Sequence, residues 1–134
     1  ARFLKTVQPS RWSKVKPELK KDKITFPDIV YWDSIHLEYH REYEFSYDCG
    51  RKVDIFCEGI AYGADDVING STGMIIGLDT CNVDISKWYD LTLTNAEQIK
   101  FYKNGRIDIR FKDSQTAENC YRRLRLDEIT LRED

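Results

Sequence analysis

The sequence predicts an α+β protein that is mostly β. We expect an antiparallel sheet or sandwich of about six to seven strands, one C-terminal amphipathic helix and an extended N-terminal arm. Apolar and polar residues alternate through much of residues 24–111, Asn104-Gly105 marks a tight turn, and residues 113–125 show helical spacing. At 134 residues the chain fits one domain, residues 24–134, after an arm of residues 1–23.

The arm is strongly basic, with eight Lys or Arg against two acidic residues. Pro9, Pro17 and the lack of a sustained periodicity predict an extended conformation. The arm can lie on the acidic body of its own chain, on another copy of the protein or on an anionic polymer.

Two strands are predicted next. Residues 24–32 are apolar, and residues 35–47 form the longest alternating run in the chain, which only Arg41 interrupts. Because this run exceeds the usual strand length, we expect a bend or bulge near Arg41.

The middle of the chain continues the β pattern. After a turn at residues 48–51, Val53, Ile55 and Cys57 resume the alternation and predict a returning strand. A loop follows at residues 64–73. Residues 74–78 then read as a buried strand, and residues 82–93 suit either a helical turn or a strand.

Residues 98–111 predict a hairpin. A two-residue loop would place its apolar residues on opposite faces. A three-residue loop at residues 103–105, with Gly105 left-handed in a bulge, places them on one face and is preferred. These apolar residues are Ile99, Phe101, Ile107 and Ile109. The polar face then carries Lys100, Arg106, Asp108 and Arg110.

A helix follows the hairpin, with Asp113 or Ser114 as its N-cap. Its apolar residues have the i, i+3, i+4, i+7 spacing of one buried stripe. They are Ala117, Cys120, Tyr121 and Leu124. Glu118 and Arg122 stand four residues apart, and the arginines that crowd the last turn suit the negative end of the helix dipole.

Charge is segregated along the chain, although its net value is only −2. Residues 28–99 hold four Lys or Arg against fourteen acidic residues, whereas residues 100–125 hold eight against three. The domain therefore combines a basic arm, an acidic body and a basic hairpin and helix.

The four cysteines, Cys49, Cys57, Cys81 and Cys120, include no C-x-x-C pair. Cys49 and Cys57 could meet across a hairpin, but a domain of this size does not need disulfides, so we predict reduced thiols.

No apolar run approaches the length of a membrane span. We expect a soluble protein and favour an intracellular location over export.

Signals for catalysis are few. His36, Glu38 and His40 share a strand face, where neighbouring members lie about 6.6 Å apart and two of them could hold one metal ion. A solvent-facing polar stripe is the alternative interpretation. The sequence contains no P-loop, no G-x-S-x-G turn and no H-E-x-x-H pair. We therefore predict no catalytic residue, no metal site and no cofactor.

Two family resemblances concern the C-terminal quarter of the chain. The stretch from Gly105 to Glu118 resembles the third strand and second helix of an RNA-recognition motif, which implies a strand whose aromatic residues stack on bases. This chain has Arg106 and Asp108 at those places. The residues that carry the resemblance are Gly105, Ile109, Phe111, Asp113, Ala117 and Glu118. The strand-then-helix ending also resembles the close of a pleckstrin-homology domain, which implies a bent sandwich with a terminal helix.

Segregated charge favours a non-catalytic binding domain whose partner is nucleic acid or an acidic protein surface. The predicted binding residues are Lys100, Arg106, Arg110, Lys112, Arg122, Arg123, Arg125, Arg11, Lys14, Lys20 and Lys21. One alternative is a homo-oligomer in which the arm of one subunit lies on residues 28–99 of the next. The other is a metal-dependent or hydrolytic enzyme centred on His36, Glu38 and His40.

Overall fold

The computed structural model describes residues 16–32, 42–43, 50–67, 76 and 83–129. In these residues the chain is an α+β protein with a five-stranded antiparallel sheet and two helices, one of them C-terminal. In their order across the sheet, its strands are β1 (Glu18–Lys20), β2 (Lys23–Phe26), β7 (Ile107–Phe111), β6 (Ala96–Phe101) and β5 (Trp88–Asp90). A separate two-stranded sheet pairs β3 (Glu42–Tyr43) with β4 (Val83–Asp84). The helices are α1 (Gly50–Asp65) and α2 (Ser114–Arg123), and a 3₁₀ turn follows at Leu126–Glu128.

The hairpin prediction is confirmed. Phe101 pairs with Ile107, the Tyr102 N–H donates to the Arg106 carbonyl at 3.0 Å, and Gly105 has a φ of +89°. A Cβ at Gly105 would lie 2.5 Å from the Val30 carbonyl oxygen, so both the backbone angle and the available space require glycine here. The loop therefore has three residues, with the four apolar side chains buried on one face.

The C-terminal helix is also confirmed. Asp113 is its N-cap, and the Asp113 carboxylate accepts a hydrogen bond from the Thr116 N–H at 2.7 Å. Ala117 and Cys120 are fully buried, and Leu124 follows them on the same stripe.

Helix α1 corrects the prediction of a returning strand. Ile55 is only half-buried, whereas Phe56 is fully buried, because the segment has a helical rather than an alternating period. Its buried residues have the spacing i, i+3, i+4, i+7, i+8 and are Val53, Phe56, Cys57, Ile60 and Ala61. Cys57 therefore lies within a helix that begins at Gly50 rather than on a returning strand, and it is a reduced thiol, whereas Cys49 lies outside the described residues.

Other predicted elements differ in extent. β2 ends at Phe26 because Pro27, which lacks an N–H, follows it. Of residues 74–78 the structure describes Ile76, which forms an isolated bridge with Leu91. Residues 82–93 contain the strands β4 and β5. The predicted strand at residues 35–47 lies outside the described residues, apart from β3.

Both helices pack on one face of the sheet. The α2 helix lies against β1, β2 and β7, and α1 lies against β6 and α2. At their crossing, a Cβ on Gly63 would lie 2.7 Å from the Leu124 side chain. The Phe56 ring meets the Phe26 ring edge-on at a centroid distance of 4.8 Å and so joins α1 to the sheet. Neither helix has the length and apolar character that crossing a bilayer requires, and the same holds for the rest of the described residues.

Candidate functional site

The outer face, which we define as the sheet face opposite α1 and α2, carries two rows of polar and aromatic side chains. Residues that pair across antiparallel strands point to the same face, so the register of the strands defines each row. The first row, from β5 to β1, is Trp88, Lys100, Asp108, Thr25 and Glu18. The second row is Asp90, Gln98, Arg110, Lys23 and Lys20.

Cations and aromatic rings alternate across the β5, β6 and β7 side of the outer face. The Arg110 Cζ lies 4.1 Å from the Trp88 ring centroid, and the Arg106 Cζ lies 4.3 Å from that of Tyr102. The Lys100 Nζ lies between the two rings, 5.9 Å from Trp88 and 5.2 Å from Tyr102. We call this set the cation–aromatic ladder; each of its contacts is within cation–π distance.

A buried carboxylate supports one end of the ladder. The Arg106 Nε and Nη2 atoms donate to the Asp108 oxygens at 2.8 and 2.7 Å, and the Tyr102 hydroxyl donates to Asp108 at 3.0 Å. Burial alone would raise the pKa of Asp108, but hydrogen bonds from Arg106, Thr25 and Tyr102 together outweigh it and hold that pKa below its usual value. Asp108 lies on the polar face of the hairpin, as the sequence predicts, but its side chain is fully buried rather than exposed.

Three cations are adjacent in the second row. Lys20 pairs with Lys23, and Lys23 pairs with Arg110. Like charges directly across strands are destabilising. Lys20 approaches Glu18 at 3.4 Å, but both side chains are more than half exposed. Among the described residues, no carboxylate lies within ion-pair distance of Lys23 or Arg110. Within that part of the chain, no carboxylate neutralises the charges of Lys23 and Arg110.

The arginines of the C-terminal helix end lie apart from the outer face. Arg122 pairs with Glu118 at 2.7 Å, as the sequence predicts from their spacing. Arg123 pairs with Asp66 at the end of α1, and Arg125 pairs with Glu128. The structure therefore brings Lys100, Arg106 and Arg110 together and separates them from Arg122, Arg123 and Arg125.

Two further predicted cations follow the ends of strands. Lys112 is exposed just after β7, and Lys21 lies in the β1–β2 turn with a φ of 53°. Arg11 and Lys14 lie outside the described residues. Since β1 belongs to the sheet and lies within the segment assigned to the arm, a truncation that tests arm exchange should end at residue 15.

Sequence reasoning missed three outer-face residues: Trp88, Tyr102 and Lys23. Trp88 lies in the segment left open between helix and strand. Tyr102 has the same parity as Lys100, which was the available signal. Lys23 was counted with the arm, although β2 begins with it.

The residues considered for metal binding and the cysteines can now be located. His36, Glu38 and His40 lie outside the described residues, and the residues inside contain no group of three side chains that could hold a metal ion. Cys120 is a free thiol whose pKa burial raises to about 12, so it is not a nucleophile at neutral pH.

Comparison with protein-family models, with curated proteins and with solved structures gives no match for this chain.

Proposed function

We propose that the protein is a non-catalytic binding domain that holds a single-stranded nucleic acid on the outer face of its sheet. The observation that carries this proposal is the cation–aromatic ladder of Arg110, Trp88, Lys100, Tyr102 and Arg106. It supplies rings and positive charge on one surface.

The chemistry of a single strand fits this surface. Unpaired bases stack on aromatic rings and on guanidinium planes, whereas phosphates need only nearby cations. Trp88 and Tyr102 offer rings, and the row of Lys20, Lys23 and Arg110 offers cations. An acidic protein surface would use the cations and leave the rings without a role, so the rings favour nucleic acid.

The order of elements adds support. β2 and β6 are both antiparallel to β7, which lies between them, and α1 separates them in the sequence. With β3, β4 and β5 left aside, which also lie between β2 and β6 in the sequence, the series β2, α1, β6, β7 and α2 has the order of the first five elements of a βαββαβ unit, the plan of an RNA-recognition motif. In this chain the rings come from β5 and from the residue after β6, rather than from the strand that begins after Gly105.

The test is binding of a fluorescent single-stranded 12-mer, as RNA and as DNA, followed by anisotropy over a salt series. We expect log K to fall against log salt with a slope of about −2, because three cations of the outer face, Lys23, Lys100 and Arg110, have no ion-pair partner among the described residues. Undetectable binding, or binding that does not respond to salt, would overturn the proposal.

Two matched pairs of variants locate the site. Arg110→Ala should weaken binding several-fold, whereas Arg122→Ala, the same change on α2, should not. Trp88→Ala should weaken binding about tenfold, the value of one lost base stack, whereas Tyr62→Ala, which removes an exposed ring on α1, should not.

Poly-glutamate is the control ligand, because it carries negative charge but has no bases that could stack on rings. If it binds as tightly as the oligonucleotide and Trp88→Ala affects neither, the partner is an acidic protein surface instead.

A further inference from the structure

Asp108 is a fully buried charged residue on the outer face, and it is the one such residue in the part of the chain that the structure describes. Removing a carboxylate from water is costly unless the groups around it compensate. It also places negative charge under a surface that we propose binds phosphates. Its presence therefore needs a physical reason.

The hydrogen-bond partners of Asp108 supply that reason. Two N–H groups of Arg106 donate to its two oxygens, and the Tyr102 hydroxyl donates to one of them. A bidentate bond fixes the plane of a guanidinium as well as its position. The Tyr102 ring is fixed by the same carboxylate, and the two groups are stacked 4.3 Å apart.

We infer that Asp108 is a positioning residue of the proposed interface: it holds the Tyr102 ring and the Arg106 guanidinium in one fixed stack that is ready to receive a base. This inference rests on the proposed function. Side chains fixed before binding lose less entropy on binding, which is how an anionic residue can strengthen the capture of an anion.

The sign of one affinity change separates positioning from simple electrostatics. Asp108→Asn removes a negative charge from the outer face, so electrostatics alone predicts tighter binding of an oligonucleotide. Positioning predicts weaker binding by about tenfold, because one stack loses its fixed orientation. The control is Asp90→Asn, which removes the same charge from an exposed residue of the same face and should leave binding unchanged or tighter.

A double-mutant cycle distinguishes positioning from general destabilisation. Tyr102→Phe keeps the ring and removes the hydroxyl that donates to Asp108. If Asp108 acts through Tyr102, the double variant should bind little worse than Asp108→Asn, whereas independent effects would multiply. Multiplying effects, or an Asp108→Asn variant that binds as tightly as the unaltered protein, would overturn the inference.

Two further outcomes are decisive. If Asp108→Asn does not fold by circular dichroism, Tyr102→Phe decides alone: weaker binding supports positioning, and unchanged binding overturns it. If the unaltered protein binds neither RNA nor DNA, the proposed function fails, and the inference fails with it. Binding by the unaltered protein with no loss in these variants removes the inference alone.

Discussion

The arginines at the end of α2 and two cations of the outer face, Lys23 and Arg110, contribute similar charge to the sequence but have different neighbours. Arg122, Arg123 and Arg125 each have a carboxylate partner. Lys23 lies between two other cations, and Arg110 stacks on a ring. Clustered charge in a sequence therefore does not locate a binding surface, because the fold decides which cations are neutralised.

The largest expected effect concerns the ion pair between Arg106 and Asp108 on the outer face, in which the carboxylate is buried. Asp108→Ala leaves Arg106, Tyr102 and Thr25 without their shared acceptor, and we expect a loss of about 2 to 3 kcal/mol in the free energy of unfolding. Glu118→Ala, which breaks the exposed pair on α2, should cost less than about 0.5 kcal/mol. Urea denaturation measures both. Equal losses would remove the energetic distinction between the two regions.

The stabilisation that Asp108 provides should also depend on pH. Because the pKa of Asp108 is lower in the folded than in the unfolded chain, its stabilisation is present above the unfolded value and is lost as pH falls through the folded value. The difference in unfolding free energy between the unaltered protein and Asp108→Asn should therefore shrink below about pH 4. A difference that grows on acidification would contradict the assigned direction.

A smaller effect should have the opposite sign. Lys23→Gln relieves repulsion from Lys20 and Arg110, so unfolding should become about 0.5 kcal/mol less favourable. The same variant should bind the oligonucleotide more weakly, because it removes one of the cations that we propose contact phosphates. Lys112→Gln, a matched change at an exposed position outside the row, should alter stability little. Reduced stability in Lys23→Gln would show that the row is not repulsive.

The smallest effect is expected at the helix end. Arg122→Ala removes one exposed pair at i, i+4 spacing and should cost about 0.3 kcal/mol, with no change in oligonucleotide affinity. Thermal unfolding and anisotropy measure the two quantities. A loss of affinity here would place the helix end within the binding surface.

The hairpin and α2 could be predicted because their signals are local. Asn104-Gly105 and the strand parity define the turn, and Asp113 begins the helix. The signal for α1 was also present, since Val53, Phe56 and Ile60 recur at helical spacing, but positions 53, 55 and 57 fit an alternating pattern too. Residues 53 and 57 satisfy both periods, whereas the buried Phe56 and Ile60 fit only the helical one.

The candidate site was less predictable because long-range pairing assembles it. Trp88 meets Lys100 only through the β5–β6 register, and Lys23 meets Arg110 only because β2 pairs with β7. The contact between Arg123 and Asp66 joins residues 57 positions apart. The charge and aromatic character of these residues can be read from the sequence. Which of them share a surface depends on the order of the strands in the sheet, which the sequence does not show.

We propose that the outer face, and not the basic end of α2, binds a single-stranded nucleic acid. The most direct measurement is an NMR titration of isotope-labelled protein with a short single-stranded oligonucleotide. We predict chemical-shift changes at the Trp88 indole N–H and along β2, β6 and β7, with little change at Arg122 and Arg123. Changes concentrated on α2, or none at saturating oligonucleotide, would contradict the claim.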